Sequence, residues 1–343
     1  WFPFHLTKVA AWTRTMILPL ALCTAKRPVN NLPSRLGIGE LFLDQEARWR
    51  NAPKWDTADT LGWTNIFLAI DAALKVLQRL RLTPFRGAGI TRAEQWLRHR
   101  MTAQTTDGLG AIFPPMVYIQ IALQALGYER SHPVIVEAER QLDRFIVERP
   151  DHIRIQPCFS PVWDTGIALY ALTEDGSNCD DPRIARACTW LLDREVSHIG
   201  DWVDNLRPED RAAFKRDPED GQRIWGAWAF EYRNDWYPDV DDTAMVAKAL
   251  VRAARNSDAP LAHRCRAAAT RAMRWILAMQ NDDGGWAAFD RTTHREWMEH
   301  VPFADHNAMQ DPSCADITGR TIESLITCGL APDHPAIHRA LEY

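Results

Sequence analysis

The sequence predicts an all-α fold, built from stacked helix pairs that close into helical barrels. Three observations carry the prediction. Apolar residues at helical spacing, or dense Ala, Leu and Arg, run over 117–127, 134–147, 165–173, 183–195, 241–256, 262–279, 316–328 and 335–343. Few stretches alternate with period two, so strands should be rare. A Trp-containing segment recurs along the chain, as it does in stacked helix pairs.

Clusters of Gly, Pro, Asn and Asp separate the helical segments. The clearest repeat is RAMRWILAMQNDDGGWAAFD, in which a helix ends at Gln280, a turn follows and Trp286 closes it. A second copy, RACTWLLDREVSHIGDWV, places Trp190 five residues before Glu195, as Trp275 stands before Gln280. Gly200-x-Trp202 then matches Gly284-x-Trp286. A looser copy between Gln95 and Phe113 lacks the final Trp, and a fourth begins at Arg339 and stops at Tyr343. The Gln or Glu can bond backbone groups that a helix end leaves orphaned, and the Trp ring can stack on it. These repeats should stabilise and not react.

A chain of 343 residues can bury large cores. Its 40 basic and 45 acidic residues give a net charge of −5, which argues against nucleic acid as a partner. With 46% hydrophobic and 25% charged residues, the chain should be globular. The unusual feature is 15 Trp against 6 Tyr, a supply of large apolar surfaces with electron-rich faces. Cys23, Cys158, Cys179, Cys188, Cys265, Cys314 and Cys328 are scattered without CxxC spacing, which fits free thiols in a reduced, cytoplasmic compartment. The chain begins Trp-Phe-Pro-Phe, without a start Met or a signal-peptide layout. No run of about 18 uncharged apolar residues could span a membrane.

The chemistry concentrates in 237–250, YPDVDDTAMVAKAL, where Asp239, Asp241 and Asp242 stand at a helix start. Asp239 suits an N-cap, and acids suit a first turn. Three carboxylates this close cannot all ionise easily in a low-dielectric pocket, so one keeps its proton. Beside an apolar cavity, such a proton can be given to an alkene. Asp241 is the expected donor, with Asp239 and Asp242 as charged or hydrogen-bonded neighbours. The alternative is a magnesium site serving a diphosphate. No phosphate-cradling loop or Lys/Arg cluster stands beside the motif, so no metal and no cofactor are expected. A carbocation in a dry pocket also needs electron-rich faces. Trp12, Trp163, Phe230, Trp236, Tyr237 and Phe289 are the candidates.

These residues resemble a known family. The repeats look like the QW motifs of triterpene cyclases. Asp239-Val240-Asp241-Asp242-Thr243-Ala244 resembles the DxDD acid motif of squalene–hopene cyclases. Ser160-Pro161-Val162-Trp163-Asp164-Thr165-Gly166 and the segment from Trp12 to Leu20 are similar to further hallmarks. The resemblance implies (α/α) barrels, toroids of the terpene cyclase and prenyltransferase type, with two barrels, one inserted into the other, present only in part. Residues 1–155 would belong to the inserted barrel, and 156–343 would open the second barrel with the acid motif. It further implies an isomerase that protonates squalene and cyclises it to hopene- or hopanol-type pentacyclic triterpenes, in bacterial hopanoid biosynthesis. By motif position Asp241 is the donor, and Trp12, Ile112, Trp163 and Phe230 line the substrate cavity. Phe289 stands where a cavity Tyr is common. Arg320 falls where some members have a His supporting the acid. An Arg there would favour an ionised Asp241 unless Asp239 or Asp316 takes its charge, so Asp316 and Arg320 are the expected acid support. A second copy of the chain, as a homodimer, is a candidate partner.

Residues 61–80, LGWTNIFLAIDAALKVLQRL, form a helix that is apolar over a wide face: Leu61, Trp63, Phe67, Ile70, Leu74 and Leu77. Lys75, Arg79, Arg81 and Arg86 follow, which suits an interfacial helix meeting anionic lipid on the cytoplasmic side of a membrane. The resemblance favours such peripheral contact, because the family takes a lipid-dissolved substrate. Alone, the chain is expected to be inactive and poorly stable, since it reads as the middle of a longer family sequence. Rival readings are a class II diterpene cyclase, which a basic patch at the cavity mouth would favour, and a non-catalytic α/α-barrel binding module, which an exposed Asp241 would favour. A prenyltransferase would need zinc, and no persuasive Cys/His/Asp set is present.

Overall fold

The computed structural model describes residues 5–29, 31, 33–37, 39–42, 54–101, 105–215, 223–301 and 309–343. Helices dominate. They are α1 (Ala11–Lys26), α2 (Trp63–Arg79), α3 (Arg86–His99), α4 (Phe113–Ala125) and α5 (Pro133–Asp143), then α6 (Pro161–Leu172), α7 (Pro182–Leu192) and α8 (Pro208–Phe214). There follow α9 (Val240–Ala253), α10 (Pro260–Met279), α11 (Glu296–Glu299), α12 (Ala315–Thr327) and α13 (Pro335–Glu342). Between α5 and α6, strands β1 (Ile146–Glu148) and β2 (Ile153–Ile155) pair antiparallel. Helices α4 to α8, α10 and α13 carry Pro in their first two positions, where its fixed φ fits and its missing N–H costs nothing.

All eight helices expected from spacing are present. The expected 134–147 helix stops at Asp143, and Ile146-Val147 turns into β1 instead. Spacing missed α1, whose apolar residues surround the helix and which contains Pro19. It also missed α3.

The second half is layered. α9 is its hub and packs on α6, α10 and α12, while α7, α10 and α13 lie outside. Gly166 of α6 faces Met245 and Val246, and Tyr170 faces Lys248 and Arg252. On the other flank, Arg320 bonds Asp241 and the Ser324 hydroxyl donates to the Ala244 carbonyl at 2.7 Å. Rising numbers on each helix meet rising numbers on the next, so α6, α9 and α12 run parallel. Their N-termini therefore gather at one end. This is the inner layer of an α/α barrel, backed by α7, α10 and α13. Ala247, Ala249, Ala268, Ala269 and Ala272 let α9 and α10 approach closely, and their core includes Val162, Leu169, Leu191 and Leu250.

In the first half, α1 packs on α3 and α4, and α4 on α5, around Leu22, Leu97, Ile119, Leu123 and Ile135. A buried Arg14 joins the halves. Its Nη2 donates to Asp290 Oδ2 at 2.6 Å, its Nε donates to the Val9 carbonyl at 2.8 Å, and Asp201 lies at 3.6 Å.

The repeats do structural work, but one was paired wrongly from the sequence. Gln280 is fully buried, and its Nε2 donates to the carbonyls of Gly284 and Ala336, each at 2.8 Å. Trp286 Nε1 donates to the Ile276 carbonyl, and Trp286 N to Thr318 Oγ1. The same pattern recurs around Glu195, yet its indole is Trp228, not Trp202. Trp228 Nε1 donates to the Leu191 carbonyl, and Trp228 N to Thr243 Oγ1. The true match to Gly284-x-Trp286 is thus Gly226-Ala227-Trp228, displaced by an insertion that linear spacing could not reveal. Gly226 is required because a Cβ there would strike the Glu195 carboxylate. Gly284 has φ +95° and abuts the Arg339 carbonyl. Trp202 instead packs edge-on to Trp225 and Trp275. In the looser copy, 102–104 lie outside the described residues.

Candidate active site

The acid motif opens α9. Asp239 is the N-cap: its backbone is extended (φ −121°, ψ 160°) and its Oδ1 accepts from Asp242 N at 2.7 Å. Asp239 N donates to the Trp228 carbonyl, and Val240 N to the Ala288 carbonyl. The two true repeat turns therefore hold the acid helix by its first residues. Thr243 Oγ1 donates to the Asp239 carbonyl at 2.6 Å and closes the cap.

The three carboxyls have different surroundings. Asp239 and Asp242 are 4% and 3% exposed, whereas the Asp241 side chain is 21% exposed. Burial pushes Asp239 up to about 7, against the Asp242 N–H that favours its anion, and the charge of Asp241 adds to the rise. Burial, then the charge of Asp239, holds Asp242 well above the usual carboxylate range. Asp242 Oδ1 is buried without a hydrogen-bond partner among the described residues.

Asp241 is placed otherwise. Arg320 Nε and Nη2 donate to its two oxygens, each at 2.7 Å, and Nη2 also reaches Asp316 Oδ2 at 3.1 Å. A planar guanidinium matches a carboxylate in this fork geometry. Arg320 is held more firmly cationic by its bonds to Asp241. In this arrangement Asp241 is the partner of an arginine, while burial acts on Asp239 and Asp242. Arg320 pairs with Asp241 and Asp316 together and makes no bond to Asp242.

The expected cavity positions share one property. Trp12, Ile112, Trp163, Phe230 and Phe289 are all half-buried, whereas Trp202, Trp228, Trp275 and Trp286 are fully buried. Trp163 lies in the first turn of α6, at the end where the parallel inner helices bring Asp241 and Arg320. Phe289 packs with Ala11, Trp236 and Tyr237, next in chain to Trp12. Asp311, which the sequence reading did not single out, fixes it by accepting from Phe289 N at 2.6 Å. A lone Asp in a loop carries no sequence signal. The two candidate aromatics packed on Phe289 have polar partners as well. Trp236 is packed against His99, His198 and Arg100, and the Tyr237 hydroxyl donates to Asp201.

An apolar cavity of about 570 Å3 lies along α1, lined by Ile17, Leu20, Ala21 and Thr24 with Val301 and Met309. Ile17 is about 7.5 Å along the helix from Trp12 at 1.5 Å per residue. None of the acid residues lines it. Gln78 of α2 also borders it. On α2, Trp63, Ile66, Ile70, Leu74 and Leu77 are exposed and Asn65 is buried, while Phe67 is half-buried. No helix among the described residues is long and apolar enough to cross a membrane, and none of their His, Cys, Asp and Glu form a metal-holding group.

Comparison with known proteins places this geometry. The squalene–hopene cyclase C-terminal domain matches residues 159–343, and the squalene–hopene cyclase N-terminal domain matches residues 1–151. A squalene–hopene cyclase of Zymomonas mobilis is 32% identical over 100% of this chain and 50% of its own length. One of Alicyclobacillus acidocaldarius is 35% identical over 99% of this chain and 50% of its own length. A dammaradiene synthase of Dryopteris crassirhizoma is 36% identical over 94% of this chain and 44% of its own length. The chain spans about half the length of the relatives it matches. With both domains matched and the acid motif capping a buried inner-barrel helix, the chain belongs to the squalene–hopene cyclase family.

Proposed function

We propose that this chain carries the acid half of an enzyme that protonates squalene and cyclises it to hopene- or hopanol-type pentacyclic triterpenes, in hopanoid biosynthesis. The observation that supports it most is the capped acid cluster, with Asp239 and Asp242 buried and raised above the usual carboxylate range and Asp241 half-buried on Arg320. A binding scaffold has no use for three carboxyls at one buried helix start.

Asp241 is the delivering member in this reading, because Asp239 and Asp242 are too buried to meet a substrate. Delivery requires Arg320 to release Asp241. Its second partner, Asp316, lies on the same helix one turn earlier and can take the charge. The buried Asp239–Asp242 pair, whose hold on protons burial strengthens, is then a neighbouring proton source. The half-buried Trp12, Trp163, Phe230 and Phe289 offer π-faces to successive cations, and apolar Ile112 offers no nucleophile. Residues 1–155 and 156–343 belong to two barrels in this reading. The exposed face of α2 rests on a membrane at its cytoplasmic side, next to the apolar cavity along α1, and a lipid-dissolved substrate passes between them.

The test is incubation of the full-length gene product with squalene in D2O. A pentacyclic product carrying one deuterium in the ring formed first is the expected result. Unchanged squalene, or product without deuterium, would overturn the reading.

A further inference from the structure

Two charged side chains close in the chain to cavity candidates are sealed from water. Arg14 follows Trp12 by two residues on α1, and Asp290 follows Phe289. Their side chains are 1% and 3% exposed. Arg14 Nη2 donates to Asp290 Oδ2 at 2.6 Å, so the pair ties the first turn of α1 to the segment that carries Phe289. The guanidinium also binds the segment that leads into α1. Its Nε donates to the Leu6 and Val9 carbonyls at 3.1 and 2.8 Å, and its Nη2 to the Thr7 carbonyl at 3.0 Å.

Further groups lock this tie. Asp290 Oδ1 accepts from Asn205 Nδ2 at 3.3 Å, and the same amide donates to the Thr7 carbonyl at 2.9 Å. Asp201, in the same short 3-10 helix as Asn205, stands 3.6 Å from Arg14 Nη1. It accepts from Arg100 and, at 3.3 Å, from the Tyr237 hydroxyl. Ala11 packs with Phe289, Trp236 and Tyr237. Residues 6–14, 100, 201–205, 236–237 and 289–290 thus meet in one buried cluster.

Such a cluster supplies geometry more than stability. A buried ion pair recovers little beyond the cost of drying its charges, and apolar side chains of similar volume often serve as well. The fork of a guanidinium on a carboxylate fixes angles that apolar contacts leave free. At about 100° per residue, Arg14 leaves α1 about 200° away from Trp12, so the tie acts from the far side of the helix. A π-face attracts a cation only within about 6 Å, so the placing of Trp12 and Phe289 selects which cation is held.

We propose that the Arg14–Asp290 pair, with Asp201 and Asn205, is a positioning device that sets Trp12 against Phe289 and so decides how many rings close before the cation is lost. The proposal rests on the reading above, in which both aromatics face the substrate. It goes beyond that reading by assigning product specificity to groups that touch no substrate. A cation left without its π-face gives a proton to water and leaves as a partly cyclised alkene, or takes up water, loses a proton and leaves as an alcohol. Either way one proton returns to solvent, matching the one supplied at the start.

The experiment separates the products of squalene incubated with the full-length gene product, wild type and variants, with total consumption and Tm measured on the same samples. Asp290→Asn should raise the ratio of partly cyclised to pentacyclic product roughly tenfold. Total squalene consumption should fall less than about threefold, because initiation at Asp241 does not involve the tie. Asp290→Glu, which keeps the charge, should recover part of the ratio. The new products should be those that Phe289→Leu gives. Asn205→Ala removes a neutral link and leaves the ion pair, so it reports even where loss of the buried charge unfolds the chain. It should shift the ratio the same way by about threefold. An unchanged ratio in Asn205→Ala and in every folded Asp290 variant would overturn the proposal. So would consumption and pentacyclic product falling in step with no new product, which would leave the cluster a brace between the halves. If wild type leaves squalene unchanged, the acid-initiated reading fails and takes this proposal with it. If wild type cyclises squalene and the ratio does not move, only the positioning role falls.

Discussion

Asp241→Asn separates the chemistry of the site from its architecture. Asp241 accepts two 2.7 Å bonds from Arg320, and the two side chains are 21% and 38% exposed. A pair this open to solvent is worth roughly 0–1 kcal/mol. The amide keeps one acceptor for the guanidinium. Asp239, not Asp241, takes the Asp242 N–H, so the α9 cap survives. Folding should change by less than about 1 kcal/mol, a shift of only a few degrees in Tm. Chemistry should suffer far more. Removing a positioned general acid costs about a hundred- to ten-thousand-fold, and neither buried neighbour can reach a substrate in its place. The assay is squalene turnover by the full-length gene product, run beside thermal melts of the same samples. Turnover near the wild-type rate would refute Asp241 as the donor. A collapse of the melting transition would refute the claim that the Arg320 pair is marginal to folding.

Gln280→Ala should destabilise the chain by about 3 kcal/mol, because it leaves the buried carbonyls of Gly284 and Ala336 without their donor; denaturant unfolding checks this, and a loss under about 1 kcal/mol would count against the repeat as a brace. Ile70→Glu with Leu74→Glu, both on the exposed face of α2, should release the full-length gene product from anionic vesicles without lowering Tm; undiminished co-sedimentation would rule that face out. Stability should fall as pH rises from about 4 to 8. Asp239 and Glu231 sit at about 7 and about 8 in the fold, above their unfolded values, so the native state holds protons there that the unfolded chain has released. The loss should be on the order of a few kcal/mol and should shrink in Glu231→Gln; equal Tm values at pH 5 and pH 8 would contradict the burial argument.

Local pattern carried most of the architecture. Helical spacing marks the eight expected helices because an amphipathic helix must repeat its buried face every turn. Asp239 is legible as a cap because its role is satisfied within four residues. The Gln280 repeat is legible because helix, turn and Trp286 follow one another directly. The Glu195 repeat was misread because Trp228 arrives only after an insertion, and space rather than spacing brings it back to Leu191. Helix α1 was missed because it is apolar on several faces and interrupted by Pro19, so periodicity has little to register. The sequence by itself determined the helices, the repeats and the presence of a crowded acid motif, since all of these depend on neighbours in the chain. Only the tertiary structure decided how the three carboxyls differ in burial and partners. That depends on burial and on partners about 80 residues away, and it put Arg320 of α12 onto Asp241 and left Asp239 and Asp242 out of water.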